Sequence, residues 1–307
     1  PTLLSWMEKA DPDTHQAIVD ADKRSAEARH GHGNAMAQAY NHMILPLANK
    51  RDKETQVKWG VADFESRFGR KPEGMWLPET AADTASLEEL AREGLVFAVL
   101  APHQAAAVRP LGDKKAEWKK VDADSIDTTV PYLCKLPSGR EINLFFYDGP
   151  ISRAVAFEGV LSDGDAFANR LLDKFDAKSK KPQLVHIATD GESYGHHHRY
   201  GDMALAYTLR QLEAKPGVSL TNYGEFLELN PPTMQAKLVE RSSWSCAHGV
   251  GRWSTDCGCN ISGGSQAWRE TLRGALDWLR DEIDILYEAK ASTLLKDPWA
   301  ARNAYIE

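Results

Sequence analysis

Short apolar runs that stop at polar residues, separated by stretches of helical periodicity, constrain this chain more than any other feature. Gly74 to Leu77, Leu95 to Leu100, Ile142 to Tyr147, Leu184 to Ala188 and Val218 to Leu220 have the length and apolar character of strands buried on both faces. A further short strand is expected around Asn34 to Ala37, which makes six. Alternation of such strands with helices implies an α/β fold, and parallel strands of this kind suggest an incomplete (β/α) barrel with about one element missing in front. The stretch Val130 to Tyr147, with Pro137-Ser138-Gly139-Arg140 at its middle, reads as a β-hairpin inserted before one barrel strand.

The intervening helices carry their own start and stop signals. Asp11-Pro12 is an N-cap followed by proline at the first helical position, and that helix is expected to end near His30 to Gly33. A second runs from about Arg51 to Phe68, with Val57, Val61, Phe64 and Phe68 on one stripe and Gly69 as its stop. Ser86 with Glu89 reads as a capping box for a third that stops at Gly94. From Arg241 the character changes to a Gly, Ser and Cys-rich loop reaching Gly264. Beyond it Trp268, Leu272, Leu276, Leu279, Ile283 and Leu286 recur at helical spacing, and Leu294 to Ile306 begins another helix. The expected division is therefore a barrel domain over residues 1–240 and a loop plus helical region over 241–307.

Composition excludes several classes. The net charge of −7 with no basic tract argues against nucleic-acid binding, and no apolar run approaches the ~20 residues that span a bilayer. Three of the four cysteines lie between Cys246 and Cys259, which is no secreted disulfide framework, so a reducing cytoplasm is the expected compartment.

Two carboxylates stand at strand ends. Glu79 follows Gly74-Met75-Trp76-Leu77-Pro78, and Asp190 follows Val185-His186-Ile187-Ala188-Thr189. Strand C-termini of a parallel barrel open on one face, so the two can face each other across a cleft, as a glycosidic bond requires of a nucleophile and an acid. Glu192 would raise the pKa of Asp190 by like charge, or serve the loop structurally. His32 and His196 read as hydrogen-bond donors to sugar hydroxyls and His103 with Gln104 as lining the same cleft. Trp76 stands beside Glu79 as a further substrate-binding candidate, and Trp244 and Trp253 offer rings for stacking or for anchoring barrel to helices. Cys246, His248, Cys257 and Cys259 offer four zinc ligands. The one-residue spacing within each half is tighter than the usual two to four, which favours a cleft-lining loop with reduced thiols and no bound cofactor.

Gly33-Asn34, Trp76-Leu77-Pro78-Glu79 and Asp190-Gly191-Glu192-Ser193-Tyr194-Gly195-His196, in this order, resemble the second, third and fourth signature regions of glycoside hydrolase family 57. The chain most resembles its amylase/α-mannosidase-like branch, which carries a helical C-terminal domain of unknown function. Tyr40-Asn41-His42-Met43-Ile44-Leu45-Pro46-Leu47 and Ser243-Trp244-Ser245-Cys246-Ala247-His248-Gly249-Val250 extend the likeness over essentially the whole chain. The resemblance implies a distorted (β/α)7 barrel and a retaining double displacement on α-glucans or maltooligosaccharides, with hydrolytic, 4-α-glucanotransferase or branching outcome. It assigns Glu79 as nucleophile, Asp190 as acid/base, and Asn34 and His196 to the sugar site.

The family's first signature, His-Gln-Pro, has no counterpart, since His15-Gln16-Ala17 lies in a helical stretch. With the chain opening at Pro1, the expectation is that the first strand lies upstream and that residues 1–307 alone are catalytically impaired. Two other readings stay open. A metal-dependent carbohydrate deacetylase would need an Asp pair and a His-x-x-x-His that these residues lack, and a non-catalytic glucan-binding barrel would keep the cleft without turnover. Oligomeric state is not legible.

Overall fold

The computed structural model describes residues 2–113, 115–260 and 263–306; Pro1, on which the reading of the N-terminus turns, lies outside them. At its centre is a mixed sheet of β1 (Ala37–Gln38), β2 (Gly74–Trp76), β3 (Phe97–Leu100), β4 (Ala105–Pro110), β5 (Lys119–Lys120), β6 (Tyr132–Lys135), β7 (Glu141–Phe146) and β8 (Met234–Leu238). Their spatial order is β1-β2-β3-β7-β6-β8-β4-β5. Strands β1, β2, β3 and β7 run parallel. The expected hairpin joins β6 to β7, with Tyr132 opposite Leu144 and Lys135 opposite Glu141. β8 then pairs parallel with β6 and antiparallel with β4, which pairs antiparallel with β5.

The sheet is open: among the described residues β1 and β5 are its edges, and the barrel does not close. Two expected barrel strands are corrected. The 184–188 segment spends its polar groups on non-strand partners: Leu184 N–H donates to Thr129 O (2.9 Å), Asp148 N–H to His186 O (2.9 Å) and Ala188 N–H to Ser152 Oγ (3.1 Å). Val218 closes a turn onto Lys215 O (3.2 Å), and Leu220 O receives the Arg29 guanidinium, so 218–220 also makes no ladder. Both runs are apolar enough to be strands, but among the described residues neither pairs into the sheet.

Helices cover the sheet: α1 (Thr2–Ala10), α2 (Pro12–Ala28), α3 (Lys50–Phe68), α4 (Thr84–Arg92), α5 (Gly149–Phe157), α6 (Gly164–Leu172), α7 (Gly201–Glu213), α8 (Tyr223–Leu229), α9 (Trp268–Ala291) and α10 (Pro298–Ala304). Asp11 caps α2 through Thr14 N–H with Pro12 at its first position, and Gly69 ends α3 in the left-handed conformation. The start of α4 is corrected by three residues: Asp83 is the cap, accepting from the Ser86 N–H at 2.7 Å, and Ser86 sits inside the helix. Helix α3 lies so close to β1 that a Cβ on Gly60 would stand 2.0 Å from Gln38 O, which only glycine avoids.

Alternation along the central strands feeds two cores. Ala98 and Leu100 of β3 with Ile142, Leu144 and Phe146 of β7 pack with Val57, Leu87 and Leu90 of α3 and α4. Phe97, Val99, Phe145 and Tyr147 point the other way, with Leu184 and Phe226. Truncating one such fully buried Leu, Ile or Phe to Ala would cost ~2–5 kcal/mol. The C-terminal helices dock on α3, where Trp59 Nε1–H donates to Asn303 O (2.9 Å) and Arg302 pairs with Asp52 (3.0 Å). The apolar stripe of α9, from Trp268 to Leu286, is exposed. Among the described residues no helix is long and apolar enough to cross a membrane.

Candidate active site

Glu79 occupies a turn that the backbone adopts only under constraint. Beyond the C-terminal end of β2, Pro78–Thr80 forms a 3-10 turn in which Glu79 (φ 56°, ψ 23°) and Thr80 (φ 49°) are both left-handed. Non-glycine residues in this region cost ~1–3 kcal/mol each and persist only where neighbours over-determine them. The neighbours here are explicit. Ala82 and Ser242 exchange both backbone hydrogen bonds (2.9 and 3.2 Å), and Trp244 N–H donates to Glu79 O (3.1 Å). Trp244 Nε1–H donates to Glu79 Oε2 at 2.9 Å, so one carboxylate oxygen is pinned. The indole is itself set edge-on against Trp76 (5.2 Å) and Tyr147 (6.3 Å).

Behind the turn, Gln104 is wholly buried and uses its whole amide. Its Oε1 accepts from Thr80 Oγ1 (2.8 Å) and Ala101 N–H (2.9 Å), while Nε2 donates to Thr80 O (2.8 Å) and Ser242 Oγ (3.1 Å). A fully bonded amide has nothing left for a sugar, so the cleft-lining role expected of Gln104 is corrected to fastening Thr80 beside Glu79.

Asp190 opens the 3-10 turn Gly191–Ser193 after the 184–188 segment. Its pKa is raised, first by partial desolvation and then by the charges of Glu192 and Glu79, while His197 and His42 pull it down. The two carboxylates therefore sense each other, although far apart in the chain. His42 was missed as a site residue. It follows β1 as Glu79 follows β2, and its backbone is also left-handed (φ 55°). Below Asp190, His186 is hydrogen-bonded to Tyr223 Oη (3.0 Å) and Thr128 O (3.2 Å), and burial lowers its pKa to about 4, which leaves it neutral.

The other expected residues divide. His103 projects into a cavity of about 600 Å³ with Val239, Ser242, Trp244 and His248, its Nε2 bonded to Ser243 O at 2.8 Å. His196 is exposed beside His197, the rings 4.9 Å apart. Glu192 is exposed, with its backbone O receiving the His197 N–H (2.9 Å). Trp253 is half-buried at the end of the 3-10 turn Gly249–Trp253. His32 and Asn34 are corrected, because they sit toward the N-terminal ends of the parallel strands, away from Glu79. His32 has both ring nitrogens engaged, Nδ1 by Glu73 (2.6 Å) and Nε2 by Glu228 (3.0 Å). Burial lowers its pKa, but these two carboxylates outweigh that and raise it. Asn34 Oδ1 accepts from Asn222 Nδ2 (3.0 Å), which ties the segment leading into β1 to the cap of α8. Contrary to the reading from spacing, the ligand atoms of Cys246, His248, Cys257 and Cys259 converge within 4.8 Å of one another.

The fold and these groups define an α/β protein with one carboxylate on a turn beyond a strand end and a second on the loop after the 184–188 segment. Residues 3–239 match the sequence profile of glycosyl hydrolase family 57, and the chain belongs to that family. Residues 265–307 match a domain of unknown function, DUF3536. Alpha-amylase 1 of Dictyoglomus thermophilum is 25% identical over 193 residues, 63% of this chain and 24% of that protein. The 1,4-alpha-glucan branching enzyme of Thermococcus kodakarensis is 39% identical over 61 residues, 20% of this chain and 9% of that enzyme. The match thus spans about a quarter or less of the length of these curated relatives. Among solved structures, an exo-type maltose-forming amylase from Pyrococcus sp. ST04 is similar with a TM-score of 0.76 at 17% identity, over 98% of this chain and 52% of that one. The 4-alpha-glucanotransferase of Thermococcus litoralis gives 0.63 at 17%, over 94% and 40%.

Proposed function

We propose that this chain carries the carboxylate pair of a retaining enzyme acting on α-glucans, with Glu79 as nucleophile and Asp190 as acid/base. The observation that carries the reading is the contrast between the two carboxyl groups. Glu79 is held in a strained turn with one oxygen bonded to an indole N–H, and Asp190 is pushed toward its protonated form by desolvation and by the charges of Glu192 and Glu79. Such divergent environments suit a nucleophile and a proton donor at one site. The relatives named above as amylase, branching enzyme and glucanotransferase supply the substrate class.

In the first step the free oxygen of Glu79 attacks the anomeric carbon, the glycosidic bond breaks, and Asp190 gives its proton to the departing oxygen. In the second step the Asp190 carboxylate takes a proton from water or a sugar hydroxyl, whose oxygen displaces Glu79 from the same carbon. Water gives hydrolysis and a sugar gives transfer. Incubation with a maltooligosaccharide ladder tests the reading: it predicts shortened products, with lengthened ones where transfer dominates. A ladder left unchanged by the chain and by its longest soluble form, while still bound, would replace the enzyme with a glucan-binding protein.

A further inference from the structure

The Cys/His cluster lies outside the carboxylate machinery, on the same segment as Trp244. Cys246 Sγ is 3.7 Å from Cys257 Sγ, 3.7 Å from Cys259 Sγ and 3.8 Å from His248 Nδ1, and Cys259 Sγ is 3.4 Å from His248 Nδ1. An ion bound tetrahedrally with Zn–S of ~2.3 Å and Zn–N of ~2.0–2.1 Å sets S···S edges of about 3.8 Å and S···N edges of about 3.6 Å. Four edges of the tetrahedron thus have the separations that a shared zinc ion would impose. All four cysteines of the chain are free, so no disulfide accounts for the convergence.

The surroundings fit as well. His248 N–H donates to Cys246 Sγ at 3.4 Å, the kind of backbone bond that steadies a ligating thiolate. Gly258 is left-handed (φ 77°), which turns the chain between Cys257 and Cys259 and lets a one-residue spacing present both sulfurs to one point. Between Arg241 and Asn260 only Cys246 and Val250 are buried apolar residues, too few to hold so long an irregular loop by packing.

We propose that Cys246, His248, Cys257 and Cys259 bind one structural zinc ion that locks the 242–259 loop, and through Trp244 fixes the turn bearing Glu79. The three thiols bind as thiolates, releasing their protons, and no redox step is involved. The metal supplies no chemistry to the substrate. It closes the loop at Cys246, two residues after Trp244, so the indole donor is held where Glu79 needs it.

Purification of the chain under reducing conditions without chelator, followed by elemental analysis, should give close to one zinc per chain. Cys257→Ser should bring this below a tenth and lower the melting temperature. Should Cys257→Ser fail to fold, His248→Cys keeps four ligands and should still carry one zinc per chain. Exchange with cobalt(II) should give the intense visible bands of a tetrahedral thiolate complex. Zinc far below stoichiometry in well-folded protein, or retention of full zinc by Cys257→Ser, would overturn the proposal. A disulfide among Cys246, Cys257 and Cys259 in protein prepared under the same conditions would do so too. Metal content is read without any glucan, so stoichiometric zinc together with no turnover by the chain or by its longest soluble form would overturn the proposed activity and leave this site standing.

Discussion

Replacing Trp244 by Phe removes the bond that orients Glu79 and little else. A phenyl ring keeps the edge-on contacts now made to Trp76 and Tyr147, and the backbone N–H still reaches Glu79 O, but Oε2 loses its indole donor at 2.9 Å. A hydrogen bond to a charged group contributes ~1.5–3 kcal/mol. If that orientation is needed at the barrier, turnover falls by about 10- to 150-fold, with KM little changed because the indole acts on the carboxylate and not on remote sugar rings. The smaller ring in a half-buried position costs ~1 kcal/mol of stability, so the assay is run well below the melting temperature. Steady-state kinetics on a defined maltooligosaccharide would show the effect. A kcat within about twofold of the parent, under ~0.5 kcal/mol, would refute the claim that Trp244 positions the nucleophile.

Gln104→Leu should lower the melting temperature by roughly 6–15 °C, since the near-isosteric swap strands Ala101 N–H and the Thr80 and Ser242 groups in a dry site at ~3–5 kcal/mol in all; a shift under about 2 °C would restore Gln104 as a candidate ligand. Glu192→Gln removes a like charge that raises the Asp190 pKa, so the alkaline limb of kcat/KM should move to lower pH, and a limb that stays put or rises would count against Asp190 as the acid. Because the Asp190 proton is bound more tightly in the folded state, its contribution to stability is present at acid pH and fades as pH rises from the ordinary 3.8 through the raised value. His32 has the same sign in a higher window: the protonated ring between Glu73 and Glu228 stabilises the fold fully below its ordinary 6.5, and this is lost as pH rises through the raised value. The melting deficit of His32→Gln should accordingly be largest near about pH 5.5 and shrink in alkaline buffer, whereas a pH-independent deficit would mean packing alone.

What the sequence made legible follows from burial. Strands β2, β3 and β7 read clearly because both of their faces are covered, which leaves continuous apolar runs such as Phe97–Leu100. The antiparallel extension did not. β4 is built on three alanines and ends in proline, β5 is two exposed lysines, and Met234–Leu238 carries Gln235 and Lys237 within it. The opposite error arose at 184–188, where an apolar run lies against loops and side chains. Glu79 and Asp190 were legible as strand-end and segment-end carboxylates, and the same argument applied to β1 would have singled out His42. What one sequence hides is the way a side chain faces: Gln104 and His103 are adjacent, yet one is sealed behind the turn and the other lines a cavity. The Cys and His spacing did not disclose that the four ligand atoms converge, because convergence depends on the left-handed turn at Gly258, which no spacing rule encodes.

The proposed mechanism stands or falls on a covalent bond to Glu79. A maltosyl fluoride carrying a second fluorine on the reacting ring slows departure from the enzyme more than arrival, so the intermediate accumulates and can be mapped by peptide mass spectrometry after acid quench. The account predicts a single glycosyl adduct on the peptide containing Trp76-Leu77-Pro78-Glu79, fragmenting to Glu79, and its absence from Glu79→Gln. An adduct on Asp190, or turnover of the natural substrate with no adduct and an inverted first product, would contradict it.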